Sequence, residues 1–266
     1  MARLIDTHCH LTHARLASAL PEVLVRARQA GLVAIICAGA NIRESRDACA
    51  LAHRQKDVYF TAGLHPHDAK SADQGYLKTI EDLAADPRNV AIGEIGLDYH
   101  YNFSPPEAQR QVFRDQLALA KGLGKKIVIH TREAFDDTLA IIRESHADGD
   151  RIVFHSFTEA PADARRALEI GATISFSGIV TFRTSDLLRQ SAAVVPDDRI
   201  LVETDAPYLS PEPVRKTRTN EPANVAHVCA CLAAVRKTAE DQLAELTTAN
   251  AVRFFALKFE SQATSG

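Results

Sequence analysis

Short runs of apolar, often β-branched residues recur along the whole chain at intervals of roughly 25–35 residues. Near-continuous apolar runs of this length are typical of strands that are buried on both faces of a parallel sheet. We predict eight such strands, at residues 4–6, 33–38, 58–62, 90–95, 127–129, 152–154, 172–176 and 200–202.

Helical patterns separate these runs. Apolar residues at helical spacing over residues 20–30 are followed by Gly31, a typical C-cap residue. Further helices are predicted at residues 105–123 and 163–170, each followed by glycine. Residues 222–258 are predicted to form two or three helices that pack outside the last strand.

Eight strands that alternate with helices predict an α/β fold of the (β/α)8 TIM-barrel type, whose active site lies at the C-terminal mouth. The alternative is an open, doubly wound sheet, but the glycine-rich dinucleotide fingerprint is missing after the first strand. A length of 266 residues suits one such barrel. We predict a single domain over residues 1–260 and a C-terminal tail over residues 261–266.

Composition and charge narrow the class of protein. Hydrophobic residues make up 46% of the chain, enough for a sizeable core. The net charge of −3 and the pI near 6.4 argue against a basic protein that coats nucleic acid. Local nucleic-acid binding through a metal and a few cations stays open.

The cysteines and the apolar segments indicate a compartment. Five cysteines, an odd number with no Cys-x-x-Cys pair, argue against a disulfide framework or a zinc ribbon and favour a reducing compartment. The sequence shows neither a signal-peptide pattern nor an apolar run of membrane-spanning length. We therefore expect a cytoplasmic protein that does not associate with a membrane.

Candidate chemistry begins in the first predicted strand, over residues 3–9. Side chains alternate along a strand, so Asp6, His8 and His10 are expected on one face. Two imidazoles and a carboxylate can hold a metal ion. The alternative is one hydrogen-bonded core histidine and one surface histidine.

Other possible metal ligands follow five further strands. These residues are His65, His67, Glu94, Asp98, His130, His155, Glu203 and Asp205. Because the C-terminal strand ends of a barrel converge on one mouth, these side chains should meet there. Four imidazoles and two carboxylates without cysteine suit Zn, Mn, Fe, Ni or Mg. Six ligands exceed one open four-coordinate site and favour two ions bridged by a carboxylate.

These motifs resemble those of the TatD family of metal-dependent deoxyribonucleases, within the amidohydrolase-like metal-dependent hydrolases. The matching stretches occur in the family's order over nearly the whole chain, at residues 6–10, 63–67, 93–99, 129–132, 155–157, 176–178 and 203–209. The most specific are Glu94-Ile-Gly-Leu-Asp-Tyr99 and Glu203-Thr-Asp-Ala-Pro-Tyr208.

The resemblance implies two divalent metal ions, Zn, Mg or Mn, and assigns their ligands. One ion would be held by His8, His10, Glu94 and Asp205. The second would be held by Glu94, His130 and His155, so that Glu94 bridges the pair. His65 would lie beside the metals and contact the scissile phosphate.

The family pattern is broken after Tyr208. Family members commonly carry Arg-Gly-Lys before Asn-Glu-Pro, whereas residues 214–222 read Val-Arg-Lys-Thr-Arg-Thr-Asn-Glu-Pro. The glycine is absent and the cations remain, so the contacts of this loop stay open. We expect Arg215, Arg218 and Tyr208 to contact substrate.

Further residues are expected to support the site. Arg132 follows His130 by two positions and is expected to clamp a phosphate, with a surface arginine as the alternative. Three carboxylates are expected to orient the ligands by hydrogen bonds, namely Asp6, Asp98 and Glu203.

The expected function is hydrolysis of DNA phosphodiester bonds by a monomeric 3′–5′ exonuclease that acts on single strands or ends. Asp205, Glu94 and His65 are the expected catalytic residues, with Asp205 accepting the proton of the attacking water. Two alternatives stay open. One is a barrel hydrolase that acts on a small amide, ester or lactone, and the other is a noncatalytic, metal-stabilised binding barrel.

Overall fold

A computed structural model describes residues 3–258 and contains one eight-stranded parallel sheet with the strands in chain order. The strands are β1 Leu4–Cys9, β2 Leu32–Cys37, β3 Val58–Ala62, β4 Asn89–Asp98, β5 Lys126–Arg132, β6 Ile152–Phe154, β7 Thr173–Phe176 and β8 Ile200–Val202. Each predicted apolar run therefore forms a strand, and the predicted α/β barrel is confirmed.

Ten α-helices accompany these strands within residues 3–258. They are α1 Ala14–Ala17, α2 Leu20–Gln29, α3 Ile42–Arg54, α4 Tyr76–Ala84, α5 Pro106–Leu123, α6 Phe135–Ser145, α7 Pro161–Glu169, α8 Asp186–Val194, α9 Val225–Arg236 and α10 Glu240–Phe255. In the described part of the chain, no helix combines the length and the apolar character that a membrane crossing needs. The predicted tail at residues 261–266 lies outside the described residues.

The barrel closes between its last and first strands through one short contact. Cys9 and Ala206 form an isolated parallel bridge just beyond the end of β8. The backbone N–H of Asp205 donates to the carbonyl of His8 at 2.9 Å, and that of His10 donates to Ala206 at 2.7 Å. This closure places the histidines of β1 directly beside Asp205.

An apolar layer fills the barrel below the strand ends. It combines inward-facing side chains from seven strands, including Ile5, Ile36, Val128 and Leu201, with aromatic residues of α10. A larger apolar cluster packs the outer faces of the strands against the surrounding helices. The polar residues at the C-terminal ends of the strands therefore lie above an apolar interior, at the mouth.

Gly96 allows β4 to pass close to β5. Its φ is +140°, and a β-carbon added there would lie 1.9 Å from the carbonyl oxygen of His130. A left-handed φ of this kind is strained for any L side chain. Glycine at this position thus lets β4, which carries Glu94, pair closely with β5, which carries His130.

We expect Gly96→Ala to lower the free energy of unfolding by about 2–6 kcal/mol, because backbone strain and overpacking add. Urea unfolding of the metal-free protein measures this change. Gly122→Ala is the matched control, since nothing lies within 4 Å of its added β-carbon near the end of α5. That variant should be stabilised by about 0.5 kcal/mol. Equal stability of the two variants would contradict this account of Gly96.

Candidate metal centre

Glu94 lies at the centre of a buried group of histidines. Its Oε1 is 2.7 Å from Nε2 of His155, 2.9 Å from Nδ1 of His130 and 3.3 Å from Nε2 of His65. Its side chain is only 4% exposed. One carboxylate oxygen therefore faces three imidazoles from three different strand ends.

The other oxygen of Glu94 faces the histidines of β1. Glu94 Oε2 is 3.3 Å from Nε2 of His8 and 3.8 Å from Nε2 of His10. Asp205 Oδ1 lies 3.4 Å from Nε2 of His10 and 3.9 Å from Nε2 of His8. The six residues expected to bind metal are thus brought together, with Glu94 between the two halves.

Backbone hydrogen bonds that continue the sheet position His155 of this cluster and Glu203 beside it. The N–H of His155 donates to Ile129 at 3.0 Å, and the N–H of Glu203 donates to Phe176 at 3.1 Å. Both residues follow short strands and extend the pairing with the preceding strand. Hydrogen bonds of this kind fix the positions of His155 and Glu203 relative to the sheet.

The donor atoms suit a divalent cation. Nε2 of His8 is buried and has no hydrogen-bond partner, although it lies 3.3 Å from Glu94, and its ring stacks on that of His155 at 4.0 Å. An unpartnered buried nitrogen is costly. Three overlapping sets of three ligand atoms each lie within 4.8 Å of one another. Binding of metal at this nitrogen would remove the penalty.

The carboxylates of the cluster are held in their charged form. Burial opposes ionisation of Glu94, but the facing histidines, His155 and His65 above all, hold its pKa well below the usual range. Burial likewise opposes ionisation of Asp205, whereas His10 lowers the pKa of this carboxyl. Anionic oxygens are the form that a divalent ion requires.

Two carboxylates fix the proton positions on the imidazoles. Glu203 Oε1 lies 3.2 Å from Nδ1 of His155, and Asp98 Oδ2 lies 3.1 Å from Nε2 of His130. Each carboxylate accepts the ring N–H on its side, which directs the other ring nitrogen towards Glu94. A carboxylate that holds one ring nitrogen of a histidine orients the other ring nitrogen for binding a metal.

His65 has a tautomer set by the backbone. Its Nδ1 accepts the backbone N–H of His67 at 3.1 Å, so the neutral ring carries its proton on Nε2. Burial, only partly offset by Glu94, lowers the pKa of His65 to about 4. The residue is therefore a neutral N–H donor that points into the cluster at neutral pH.

Asp6 is bonded to the segment that follows β8. The pairing of β1 with β2 is irregular between Asp6 and Cys9. Asp6 Oδ2 accepts the hydroxyl of Thr204 at 2.6 Å, and Oδ1 accepts the backbone N–H of Thr204 at 2.9 Å. Burial raises the pKa of Asp6 to about 8. Asp6 thus fastens the segment that carries Asp205, rather than an imidazole ring.

His67, one of the possible metal ligands in the sequence, pairs with a carboxylate beside the cluster. Its Nε2 lies 3.0 Å from the same Asp98 oxygen that faces His130. The signal available in the sequence is its place two residues after His65 in the Gly-Leu-His-Pro-His stretch. Asp98 consequently joins two histidines and transmits the position of one to the other.

Asp98→Asn should lower the rate of hydrolysis by about 10–100-fold, because the partners that orient metal ligands have effects of this size. The amide retains an acceptor for the N–H of Tyr101, which now donates to Asp98 at 2.9 Å. Metal affinity, measured by titration, should fall together with the rate. The control is Asp115→Asn, on α5, where the carboxylate accepts a hydrogen bond from Tyr76 of α4. This variant should change neither the rate nor the metal affinity. An Asp98→Asn variant with normal rate and affinity would refute this role.

The expected substrate contacts are spread around the mouth. Arg132 is exposed, with its guanidinium 4.7 Å from the ring centre of Tyr101. Arg215 packs 3.9 Å over Phe182, while the backbone carbonyl of Arg218 accepts a hydrogen bond from Arg15. Among the contacts of residues 3–258, none links these three expected cations to the buried histidines. Their role therefore depends on where a substrate lies.

Tyr208 forms an exposed aromatic edge of the site. Its side chain is 43% exposed, and its ring centre lies 6.0 Å from that of His10. The guanidinium of Arg15 lies 4.9 Å from the ring centre of Tyr208. An aromatic face and a cation thus lie beside the histidines of β1.

A parallel barrel with buried histidines and carboxylates at its C-terminal mouth is an arrangement typical of metal-dependent hydrolases. The family model described as TatD related DNase matches residues 5–256. The chain belongs to this family. Membership argues against the noncatalytic binding barrel.

Similar proteins cover nearly the full chain. The uncharacterised metal-dependent hydrolase YabD of Bacillus subtilis is 36% identical over 252 residues, which cover 95% of this chain and 98% of YabD. The 3′–5′ ssDNA/RNA exonuclease TatD of Edwardsiella piscicida is 37% identical over 259 residues, covering 96% and 100%. The crystal structure of YjjV, a TatD homologue from Escherichia coli K12, superposes with a TM-score of 0.91 at 27% identity, covering 97% and 99%.

Proposed function

We propose that this protein is a metal-dependent exonuclease that removes nucleotides from the 3′ end of single-stranded DNA. The observation that carries the proposal is the buried carboxylate of Glu94, shared between two groups of imidazoles at the barrel mouth. The name of the Edwardsiella piscicida relative, an exonuclease of single-stranded DNA and RNA, supports the same substrate class.

The chain offers ligands for two divalent ions. We assign His8, His10, Glu94 and Asp205 to one ion. We assign Glu94, His130 and His155 to the other, with one oxygen of Glu94 directed to each half. A pair of ions in such a site activates a water and neutralises charge on the phosphate. Nitrogen and oxygen ligands suit Zn, Mn or Mg.

Asp205 moves the proton in the proposed reaction. Its side chain is 15% exposed, so it lies against the buried histidines and is also accessible from the open mouth. The lowered pKa of this carboxyl, caused chiefly by the pairing with His10 that outweighs burial, keeps it unprotonated before reaction. It accepts a proton from the attacking water and passes it to the 3′ oxygen that leaves the phosphorus.

His65 stabilises the phosphate. Its Nε2–H points into the cluster, 3.3 Å from Glu94 Oε1, and its neutral ring adds no charge that would compete with an ion. We assign this N–H to a nonbridging oxygen of the scissile phosphate. A fixed donor at that oxygen stabilises the negative charge that builds up during the reaction.

Exposed aromatic rings at the mouth support a single-stranded substrate. Among residues 3–258, three large aromatic side chains are exposed, and all three follow β4 or β8. They are Tyr101, Phe103 and Tyr208. Tyr101 and Phe103 stack on each other with ring centres 5.2 Å apart, and Arg132 covers Tyr101. Unpaired bases stack on such rings with little sequence preference. Paired bases in a duplex do not present their faces.

The double variant Tyr101→Ala/Phe103→Ala should raise KM for single-stranded DNA by about tenfold or more, because one stacked base contributes about 1–3 kcal/mol. The kcat value should stay within about twofold, since neither ring touches the metal ligands. Steady-state kinetics on an oligonucleotide measure both. Leu187→Ala, which removes an equally exposed side chain from α8, is the control. A normal KM in the double variant would rule out this stacking surface.

A direction-of-cutting assay tests the proposed function. Single-stranded DNA with a 5′ label is incubated with the protein and Mg, Mn or Zn. We expect products that shorten one nucleotide at a time from the 3′ end, and a blocked 3′ terminus should stop the reaction. Products cut internally, or none with any of the three metals, would overturn the proposal. Hydrolysis of esters, lactones or amides by the same preparation would then favour the small-molecule alternative.

A further inference from the structure

A second group of ligand-type side chains lies on the outside of the barrel. Cys49 and His53 lie four residues apart on α3 and so project from one face of this helix. Asp86 lies in the turn between α4 and β4. Because this turn precedes the first residue of β4, the group lies at the end of the barrel opposite to the mouth.

The side chains of Cys49 and His53 both face one carboxylate oxygen of Asp86. Asp86 Oδ2 is 2.7 Å from Nε2 of His53 and 3.7 Å from Sγ of Cys49. All three ligand atoms lie within 4.8 Å of one another. The second oxygen, Oδ1, accepts the backbone N–H of Arg88 at 2.8 Å. That bond orients the carboxylate so that Oδ2 faces the cysteine and the histidine.

We propose that Cys49, His53 and Asp86 bind a peripheral Zn²⁺ ion, with a fourth position open to water. Tetrahedral zinc with ordinary bond lengths separates a thiolate and a carboxylate ligand by about 3.5 Å, and an imidazole and a carboxylate ligand by about 3.3 Å. The observed 3.7 Å between sulfur and oxygen already fits. The His53 ring has to move by about 0.6 Å, and its side chain is 54% exposed and has room to do so.

The thiolate makes this site chemically different from the mouth. Among the described residues, the cluster around Glu94 contains no cysteine. A sulfur ligand favours Zn²⁺ over Mg²⁺ and Mn²⁺, which prefer oxygen. The peripheral site would therefore discriminate among ions that the mouth could accept. A bound ion would also tie α3 to the turn before β4.

Cobalt titration of the metal-free protein tests the site, because a thiolate bound to Co²⁺ gives a near-ultraviolet charge-transfer absorption that imidazoles and carboxylates do not. We expect this absorption in the wild type, at a stoichiometry of one thiolate-bound ion per chain. It should be absent from Cys49→Ser. It should be unchanged in Cys231→Ser, the matched control, whose half-buried thiol donates to the backbone carbonyl of Val180.

The remaining ligands are tested in the same titration. His53→Gln and Asp86→Asn should each weaken Co²⁺ binding at the thiolate by at least about tenfold, since each removes one of three protein ligands. Excess Zn²⁺ should displace the absorption. Absence of the absorption from the wild type at saturating Co²⁺, or its persistence in Cys49→Ser, would overturn the proposal.

Discussion

Glu94→Gln is expected to abolish phosphodiester hydrolysis and to strip metal from the barrel mouth. The carboxylate lies within 4 Å of five histidines and faces both halves of the cluster. Loss of a partner that only orients a ligand costs about 10–100-fold, so loss of the shared ligand should cost more than about a hundredfold. Activity assays and metal analysis of the purified variant measure the two effects.

The matched control for this substitution is Glu133→Gln. Glu133 also lies near the mouth, but its side chain is 64% exposed and pairs with His100 at 2.7 Å. An exposed pair of this kind contributes little, so rate and metal content should be unchanged. If Glu94→Gln kept a normal rate and a full complement of metal, the proposed centre would be wrong.

Asp205→Asn is expected to lower kcat by about 10²–10⁴-fold, the usual contribution of a positioned general base. The amide keeps the oxygen that faces His10, so KM for single-stranded DNA should change far less than kcat. Single-turnover measurements at saturating metal separate the chemical step from ion loss. Asp198→Asn, at the opposite end of β8, is the control and should be neutral. A kcat that falls less than about tenfold would remove Asp205 from the proton transfer.

The barrel itself could be predicted because its strands are buried on both faces. Continuous apolar runs such as residues 58–62 and 152–154 leave little choice of structure. The six proposed metal ligands could be gathered for the same reason, since each lies near the C-terminal end of one of these strands or directly after it. Topology alone brings distant residues such as His8 and Asp205 to one mouth.

The junction between β8 and β1 could not be predicted. Strict alternation places Asp6 on the face of His8, but it does not reveal the irregular pairing of β1 or the two hydrogen bonds that Asp6 accepts from Thr204. A break in register depends on how two strands meet, and neither strand's pattern reveals it. The tight contact between Gly96 and His130 is hidden for the same reason.

Loop side chains were the least predictable part of the site. Tyr99 and Tyr101 are equally plausible stacking residues in the sequence. In the structure the hydroxyl of Tyr99 donates to Asp137 at 2.7 Å, whereas Tyr101 is 47% exposed. Likewise, Arg215 packs on Phe182 from another loop. Such pairs join segments whose mutual arrangement no local pattern specifies.

The peripheral cluster illustrates a related limit. His53 reads as an ordinary surface histidine of a helix, and its spacing from Cys49 is common. Only the fold brings Asp86 to the same face, where it contacts both side chains. The sequence therefore shows two of the three proposed ligands at helical spacing, but it does not show that Asp86 joins them.

The number of ions bound at the mouth tests the central claim most directly. The Cys49→Ser protein, which lacks the peripheral thiolate, is stripped of metal, dialysed against Zn²⁺ or Mn²⁺ and analysed for metal content by mass spectrometry. We expect saturation at two ions per chain, and loss of both when Glu94→Gln is added. Saturation at one ion, or two ions that persist without the Glu94 carboxylate, would contradict the account.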